Sequence, residues 1–180
     1  MFPKLNVVVT GPESSGKTWL ANALSAHYKT IWTPEFARSY LKQIDRPYEE
    51  KDLLVIAQNQ LDQQKKDLQE VDRLLFSDTG LLVMKIWSTY KYGRTDPWID
   101  HELANDHYDL YLLCYPDLDW EFDPLRENQD NRDELFHLYQ NILDKQGLPY
   151  ALINGQGDLR LQKAINAVDQ LLKDSEERFQ

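Results

Sequence analysis

The chain holds a single cysteine, Cys114, so no disulfide can form within it. That fits a reducing, cytoplasmic setting, and Cys114, inside an apolar run, reads as a small buried hydrophobe. No apolar run approaches the roughly 20 residues that a membrane span needs, which argues against membrane insertion. The first expected strand begins almost at the N-terminus and leaves no room for a signal peptide. Positive charge is in short supply: 20 Lys and Arg stand against 30 Asp and Glu, a net charge of −10. A nucleic-acid surface needs a basic stripe, so that partner is not expected; a small, positively charged substrate is compatible with the balance. The four histidines show no metal-ligand spacing and have no cysteine partner, so no zinc site is expected. Internal repeats and linkers are absent, as is an Asn-Lys-x-Asp guanine-reading motif. At 180 residues the chain reads as one domain.

What is present starts with Val7-Val8-Val9-Thr10, a β-branched run that feeds into Gly11-Pro12-Glu13-Ser14-Ser15-Gly16-Lys17-Thr18. This is G-x-x-x-x-G-K-[ST], the phosphate-binding P-loop, followed by an apolar run suited to a helix. Gly11 and Gly16 allow backbone dihedrals that a side chain would forbid. The amide hydrogens of Glu13, Ser14, Ser15 and their neighbours then turn inward and form a nest for phosphate oxygens. Lys17 would reach the β- and γ-phosphates, and the Thr18 hydroxyl would ligate Mg²⁺. The expected cofactors are therefore ATP and Mg²⁺.

Taken in order, strands are expected at 4–10, 30–33, 73–78, 109–115 and 150–153. Helices are expected at 17–28, from Pro34 to before Arg46-Pro47, at 48–71, 81–92 with Gly93 as its stop, 97–107, and 132–146 ending at Gly147. A last helix is capped by Asp158. Pro34 is expected at the N1 position of its helix. The 48–71 helix shows an apolar stripe of Leu54, Ala57, Leu61, Leu68 and Val71, interrupted by Gln64. Strands alternating with helices predict an α/β fold, a three-layer P-loop NTPase with a five-stranded parallel sheet of the nucleoside- or nucleotide-kinase type. Residues 1–175 form the expected domain, 116–131 a lid-like loop, and 176–180 a frayed tail. Ligands of such sheets lie at the carboxyl ends of the strands, where the P-loop, Glu35 and Asp78 all fall.

Asp78 ends the third strand as a Walker-B-type carboxylate does and would hold Mg²⁺ opposite Thr18; an ordinary helix N-cap is the alternative. Glu35 and Arg38 share one helix face. They are either a surface ion pair or a carboxylate that orients an attacking hydroxyl with a cation beside it. Trp87, Tyr90, Tyr92 and Trp98 cluster after Asp78, either as core or as a wall against which a flat ring could stack. Arg126 and Arg132, on or beside the lid-like loop, are candidates for a γ-phosphate contact, or else pair with neighbouring acids. Arg160 is a candidate for packing against the nucleotide base.

Several blocks recur together in one family: the P-loop, Pro34-Glu35-Phe36-Ala37-Arg38, Phe76-Ser77-Asp78-Thr79, Ile86-Trp87-Ser88 with Tyr92-Gly93, Tyr108 to Leu113, and Trp120-Glu121-Phe122-Asp123-Pro124-Leu125-Arg126-Glu127. In these the chain resembles, from about Leu5 to Leu172, the nicotinamide riboside kinase domain of bacterial NadR-type proteins, P-loop kinases filed as an AAA-like ATPase domain. The resemblance implies transfer of the ATP γ-phosphate to the 5′-hydroxyl of nicotinamide riboside. It puts phosphates on the P-loop, Mg²⁺ near Thr18 and Asp78, the nucleoside near Glu35, Arg38 and Trp87, and lid arginines at Arg126 and Arg132. The nucleotidyltransferase and helix-turn-helix domains of longer relatives do not fit within this chain. Gly80 stands where some relatives carry a second acid.

Overall fold

Val7, Val8 and Val9 are all fully buried, with Val7 and Val9 on one side and Val8 on the other. Each such side chain contributes about 1.5–3 kcal/mol when taken fully out of water, so a strand apolar on both faces is most stable at the centre of a sheet. That is where it lies. In the computed structural model, which describes residues 3–105 and 108–178, β1 (Leu5–Thr10) is flanked by β3 (Leu74–Asp78) and β4 (Leu110–Cys114). The edges are β2 (Trp32–Thr33) and β5 (Tyr150–Ile153), giving a parallel sheet in the order β2-β3-β1-β4-β5.

Helices α1 (Lys17–Tyr28) and α7 (Gly157–Glu177) cover the face that presents Val7, Val9, Phe76 and Cys114. The other face carries Val8, Tyr111 and Leu113. It is covered by α3 (Glu50–Glu70), α4 (Leu81–Tyr92), α5 (Pro97–Ala104) and α6 (Arg132–Gln146), with α2 (Phe36–Gln43) against α3. The five-stranded parallel sheet and its three layers agree with the expectation from sequence. Burial pushes the Cys114 thiol up to about 11, which leaves it a hydrophobe. No helix among the described residues is long and apolar enough to cross a membrane.

The differences lie at element ends and on α3. The second helix starts at Phe36 with Glu35 at its N-cap, so Pro34 precedes the cap instead of occupying N1. The last helix starts at Gly157 behind Gln156, which places Asp158 in the first turn, where its charge favours the helix dipole, and not at the cap. Glu176 and Glu177, expected to fray, continue α7, and the buried Ser175 just before them shows that the turn is packed. Residues 106 and 107, expected to finish the helix after Pro97, lie outside the described residues, as do 179 and 180.

On α3 the buried face is Leu53, Ile56, Ala57, Gln60 and Gln64, with Leu54 and Leu61 only partly covered. Gln64 does not interrupt an apolar stripe; it belongs to a buried polar one. Gln60 Oε1 accepts from the Phe36 amide at 2.7 Å, and its Nε2 donates to the Pro34 carbonyl at 3.3 Å. Gln64 Nε2 donates to the Thr79 carbonyl at 2.9 Å, and its Oε1 accepts from the Tyr108 hydroxyl. Two glutamines one turn apart thus satisfy the turns that carry Glu35 and Asp78, groups that would be costly to leave unpaired.

The phosphate loop leaves β1 through Gly11 at φ +134°, where an added Cβ would lie 2.6 Å from the Cys114 carbonyl oxygen. Gly11→Ala is expected to cost about 1–3 kcal/mol of stability, from dihedral strain and this contact. Urea unfolding measures it, and an unchanged midpoint would mean that the ends of β1 and β4 part freely.

Candidate active site

The register of the sheet brings the candidate residues together. Val9 pairs with Asp78 and Thr33 with Ser77, so the ends of β1, β3 and β2 lie side by side. Their connections line a cavity of about 690 Å³. Gly11, Glu13, Ser14, Ser15, Gly16, Lys17 and Thr18 form its central wall, and Glu35, Arg38, Trp87, Tyr90, Arg126 and Arg160 also reach it. Asp78 lies beneath that wall, 1% exposed.

Gly16 at φ +77° and Ser14 at φ +51° curve the loop so that its amides converge. Lys17 Nζ and Ser15 Oγ both donate to the Pro12 carbonyl at 2.7 Å. Thr18 Oγ1 donates to Asp78 Oδ2 at 2.6 Å, and the other oxygen, Asp78 Oδ1, is buried without a hydrogen-bond partner. A threonine hydroxyl beside an unsatisfied buried carboxylate oxygen suits a hard cation. No cluster of three or more metal-capable His, Cys, Asp or Glu occurs among the described residues. Of the hard cations, Mg²⁺ fits best, since it takes few protein ligands and keeps water and phosphate oxygens for the rest.

Glu35 faces the cavity, half-covered, across from Asp78. Desolvation first, and then the Asp78 charge, push its pKa up, against the opposing pull of Lys17 and Arg38. Asp78 is likewise raised by desolvation, against its bond from Thr18 and the Lys17 and Arg38 charges. In a chain of net charge −10, the cavity therefore gathers Lys17, Arg38 and Arg126 around two carboxylates that burial makes reluctant to ionise.

The 115–131 connection between β4 and α6 crosses above the phosphate loop. Arg126 Nη1 donates to Ser14 Oγ at 2.8 Å and to the Glu121 carbonyl at 2.6 Å. Glu13 accepts from the amides of Glu127 and Asn128 at 3.1 and 2.8 Å. Asp123 takes Arg38 Nη1 at 2.7 Å and the Leu125 amide at 2.9 Å. Arg132 does not line the cavity; its Nη1 donates to the Leu118 and Ser14 carbonyls at 2.9 and 3.3 Å and so braces the connection from behind.

Arg160, expected against a nucleotide base, is instead 1% exposed and donates to backbone. Its Nη2 reaches the Ser15 and Tyr115 carbonyls, both at 2.8 Å. Its Nη1 reaches Ile153 and Gly155 carbonyls and Asp117 Oδ1 at 3.2 Å. The exposed side chain at that end is Trp19, 46% exposed, which lines the cavity with Gln156. Its place directly after Thr18 was the available signal. The aromatic cluster divides. Trp87 and Tyr90 line the cavity, whereas Tyr92, at the end of α4, and Trp98, on α5, do not and pack half-buried against the core. Buried Tyr139 on α6 lines the cavity in their stead.

A family model described as an AAA domain, AAA_28, matches residues 6–160. The chain belongs to this family. Among curated proteins this AAA domain is similar to the trifunctional NAD biosynthesis/regulator protein NadR of Escherichia coli (strain K12). The two are 23% identical over 176 residues, covering 92% of this chain and 42% of that protein. A crystal structure of NadR protein in complex with NR matches with a TM-score of 0.80 at 22% identity, covering 93% of this chain and 51% of that one. NadR in complex with NAD and AMP-PNP matches at 0.75 and 20%, covering 93% and 49%. Thymidylate kinase from Ehrlichia chaffeensis matches at 0.63 and 14%, covering 94% and 99%. The chain spans about half the length, or less, of the NadR proteins it matches. These likenesses bear out the P-loop kinase fold and the family resemblance drawn from the motifs.

Gly80 of this AAA domain has a steric account. A Cβ there would lie 2.5 Å from the Tyr108 hydroxyl and 3.0 Å from its Cζ, so the tyrosine fills the space a second acid would need. Gly80→Asp is expected to destabilise by about 1–3 kcal/mol; equal urea midpoints would mean that Tyr108 swings aside freely. For Glu35 the folded-state pKa is raised, so its ionisation opposes folding. The penalty begins as pH rises through the ordinary glutamate range and is complete above the folded-state value. Glu35→Gln should therefore raise Tm at pH 7, with the gain vanishing below the ordinary glutamate range. A Tm difference independent of pH would contradict the assignment.

Proposed function

We propose that the chain is an ATP-dependent small-molecule kinase that phosphorylates the 5′-hydroxyl of nicotinamide riboside to give nicotinamide mononucleotide. The observation that carries this reading is the juxtaposition of Glu35, a carboxylate with a raised pKa, with the Trp87–Tyr90 wall, on the edge of a P-loop backed by the Thr18–Asp78 pair. The likeness to NadR solved with NR (nicotinamide riboside) supports the choice of acceptor. The likeness to NadR solved with AMP-PNP supports an ATP-type donor. The donor's base then lies by Trp19, its phosphates in the loop, and the acceptor ring against Trp87 and Tyr90. That acceptor ring is flat and cationic, which suits an indole face in an acidic protein.

Glu35 orients the acceptor hydroxyl and takes its proton as the oxygen–phosphorus bond forms and the bond to the β,γ-bridging oxygen breaks, releasing ADP. A pKa raised toward working pH makes the carboxylate a better base for this step. Lys17, freed from the Pro12 carbonyl, and Arg126 hold the transferring phosphoryl group. Thr18 and Asp78 would hold Mg²⁺, which when bound supplies positive charge to the β- and γ-phosphate oxygens. The 116–131 loop serves as a lid that excludes water until the acceptor is bound. A cytoplasmic location and a single domain over 1–175 complete the reading.

The test is phosphoryl transfer from ATP with Mg²⁺ to nicotinamide riboside, a panel of common nucleosides, and no acceptor. Selective conversion of nicotinamide riboside is expected, with little hydrolysis alone. Lys17→Ala should abolish transfer, Glu35→Gln should lower kcat by about 10²–10⁴-fold, and Trp87→Ala should raise the acceptor KM while sparing that of ATP. Conversion of another nucleoside would overturn the substrate, and acceptor-independent hydrolysis would overturn the kinase.

A further inference from the structure

Trp87 is held in one orientation by bonds that run back to the phosphate loop. Its indole Nε1 donates to Tyr48 Oη at 2.7 Å, and the two rings meet edge to face with centroids 5.0 Å apart. A phenol has one proton to give and two lone pairs to accept with. Both lone pairs of Tyr48 are taken, by Trp87 and by Lys91 Nζ at 2.6 Å, so its proton goes to Glu127 Oε2 at 2.9 Å. Lys91 also pairs with Glu127 at 3.1 Å. Glu127 has a second attachment: its own amide donates to Glu13 of the phosphate loop. One residue of the crossing segment thus reaches Trp87 by way of Tyr48 through its carboxylate, and the phosphate loop through its backbone.

We infer that Tyr48 and Glu127 are positioning residues that couple occupancy of the phosphate loop to the orientation of the Trp87 indole, and hence to affinity for the acceptor ring. This rests on the reading of Trp87 as the acceptor-ring contact. The bonds are half-exposed, and partly exposed ion pairs such as Lys91–Glu127 add little to stability. Their effect is to fix a plane. An indole already set for stacking loses less freedom when a ring docks on it. Because both attachments sit on Glu127, a ligand that settles the crossing segment on the loop also settles Trp87, and the coupling must act equally in reverse. None of these residues was singled out by its spacing, since Tyr48, Lys91 and Glu127 come from three separate segments.

The test is ¹⁵N–¹H NMR of the tryptophan indoles, with the Trp87 resonance assigned through Trp87→Phe. Adding AMP-PNP and Mg²⁺ without acceptor is expected to shift the Trp87 resonance in the unmodified protein. The shift should be lost in Tyr48→Phe and Glu127→Ala and recovered in Glu127→Gln, which can still accept the Tyr48 proton. In parallel, the nucleotide should tighten nicotinamide riboside binding by on the order of fivefold or more in the unmodified protein, and hardly at all in Tyr48→Phe. A Trp87 shift of equal size in Glu127→Ala, or none in the unmodified protein, overturns the inference. A nucleotide-dependent shift in a protein that does not bind nicotinamide riboside supports the coupling and overturns the acceptor.

Discussion

A loop that turns its amide hydrogens inward to hold phosphate necessarily turns carbonyls outward, and in a buried setting each of those needs a donor. The neighbourhood of residues 11–18 is organised by that requirement. The Pro12 carbonyl takes Lys17 and the Ser15 hydroxyl, the Ser14 carbonyl takes Arg132, and the Ser15 carbonyl takes Arg160. Arg160 extends the arrangement, since the same guanidinium also binds carbonyls at the ends of β4 and β5. A planar fork with five donors is suited to collecting carbonyls from several strands, which a lysine could not do. The convex side of the nest thereby becomes the point at which three strand ends are tied together.

The two carboxylates opposite the nest are placed by a similar economy. Glu35 and Asp78 stand at the ends of neighbouring strands, and their turns are fastened by Gln60 and Gln64 of α3. Burying two amide side chains is tolerable because each finds both kinds of partner. One oxygen of Asp78 is among the buried polar atoms left without a partner, and desolvation and Asp78 keep the Glu35 carboxyl reluctant to ionise. Buried charge of this kind costs stability locally, and the surrounding apolar layers supply the stability to hold it.

The crossing segment lies over the phosphate loop without burying much apolar surface. Phe122 at its tip is 88% exposed, and its attachments are polar: Arg38 to Asp123, Arg126 to Ser14, and Glu13 to two amides. A segment held by hydrogen bonds and half-exposed ion pairs opens at little cost, whereas one held by a hydrophobic plug would not. Every one of these bonds ends on a residue that also faces the cavity, so movement of the segment and the state of the site are linked.

Periodicity and local motif determined much of this protein directly. The P-loop, the central β-branched strand, the glycine stops at Gly93 and Gly147, and the α/β alternation depend on residues close in sequence, so the sequence alone reveals them. The same holds for the blocks that resemble NadR-type domains. Long-range pairing decided the rest. Gln64 looked like a flaw in a helix stripe because its partners, Thr79 and Tyr108, lie in other segments. Arg160 looked like a ligand contact, yet the carbonyls that claim it come from separate strand ends. Tyr92 and Trp98 could not be told from Trp87 and Tyr90, since the packing of α4 and α5 against their neighbours determines which rings meet the cavity. Spacing along a chain records which side chains share a face; only packing decides what that face meets.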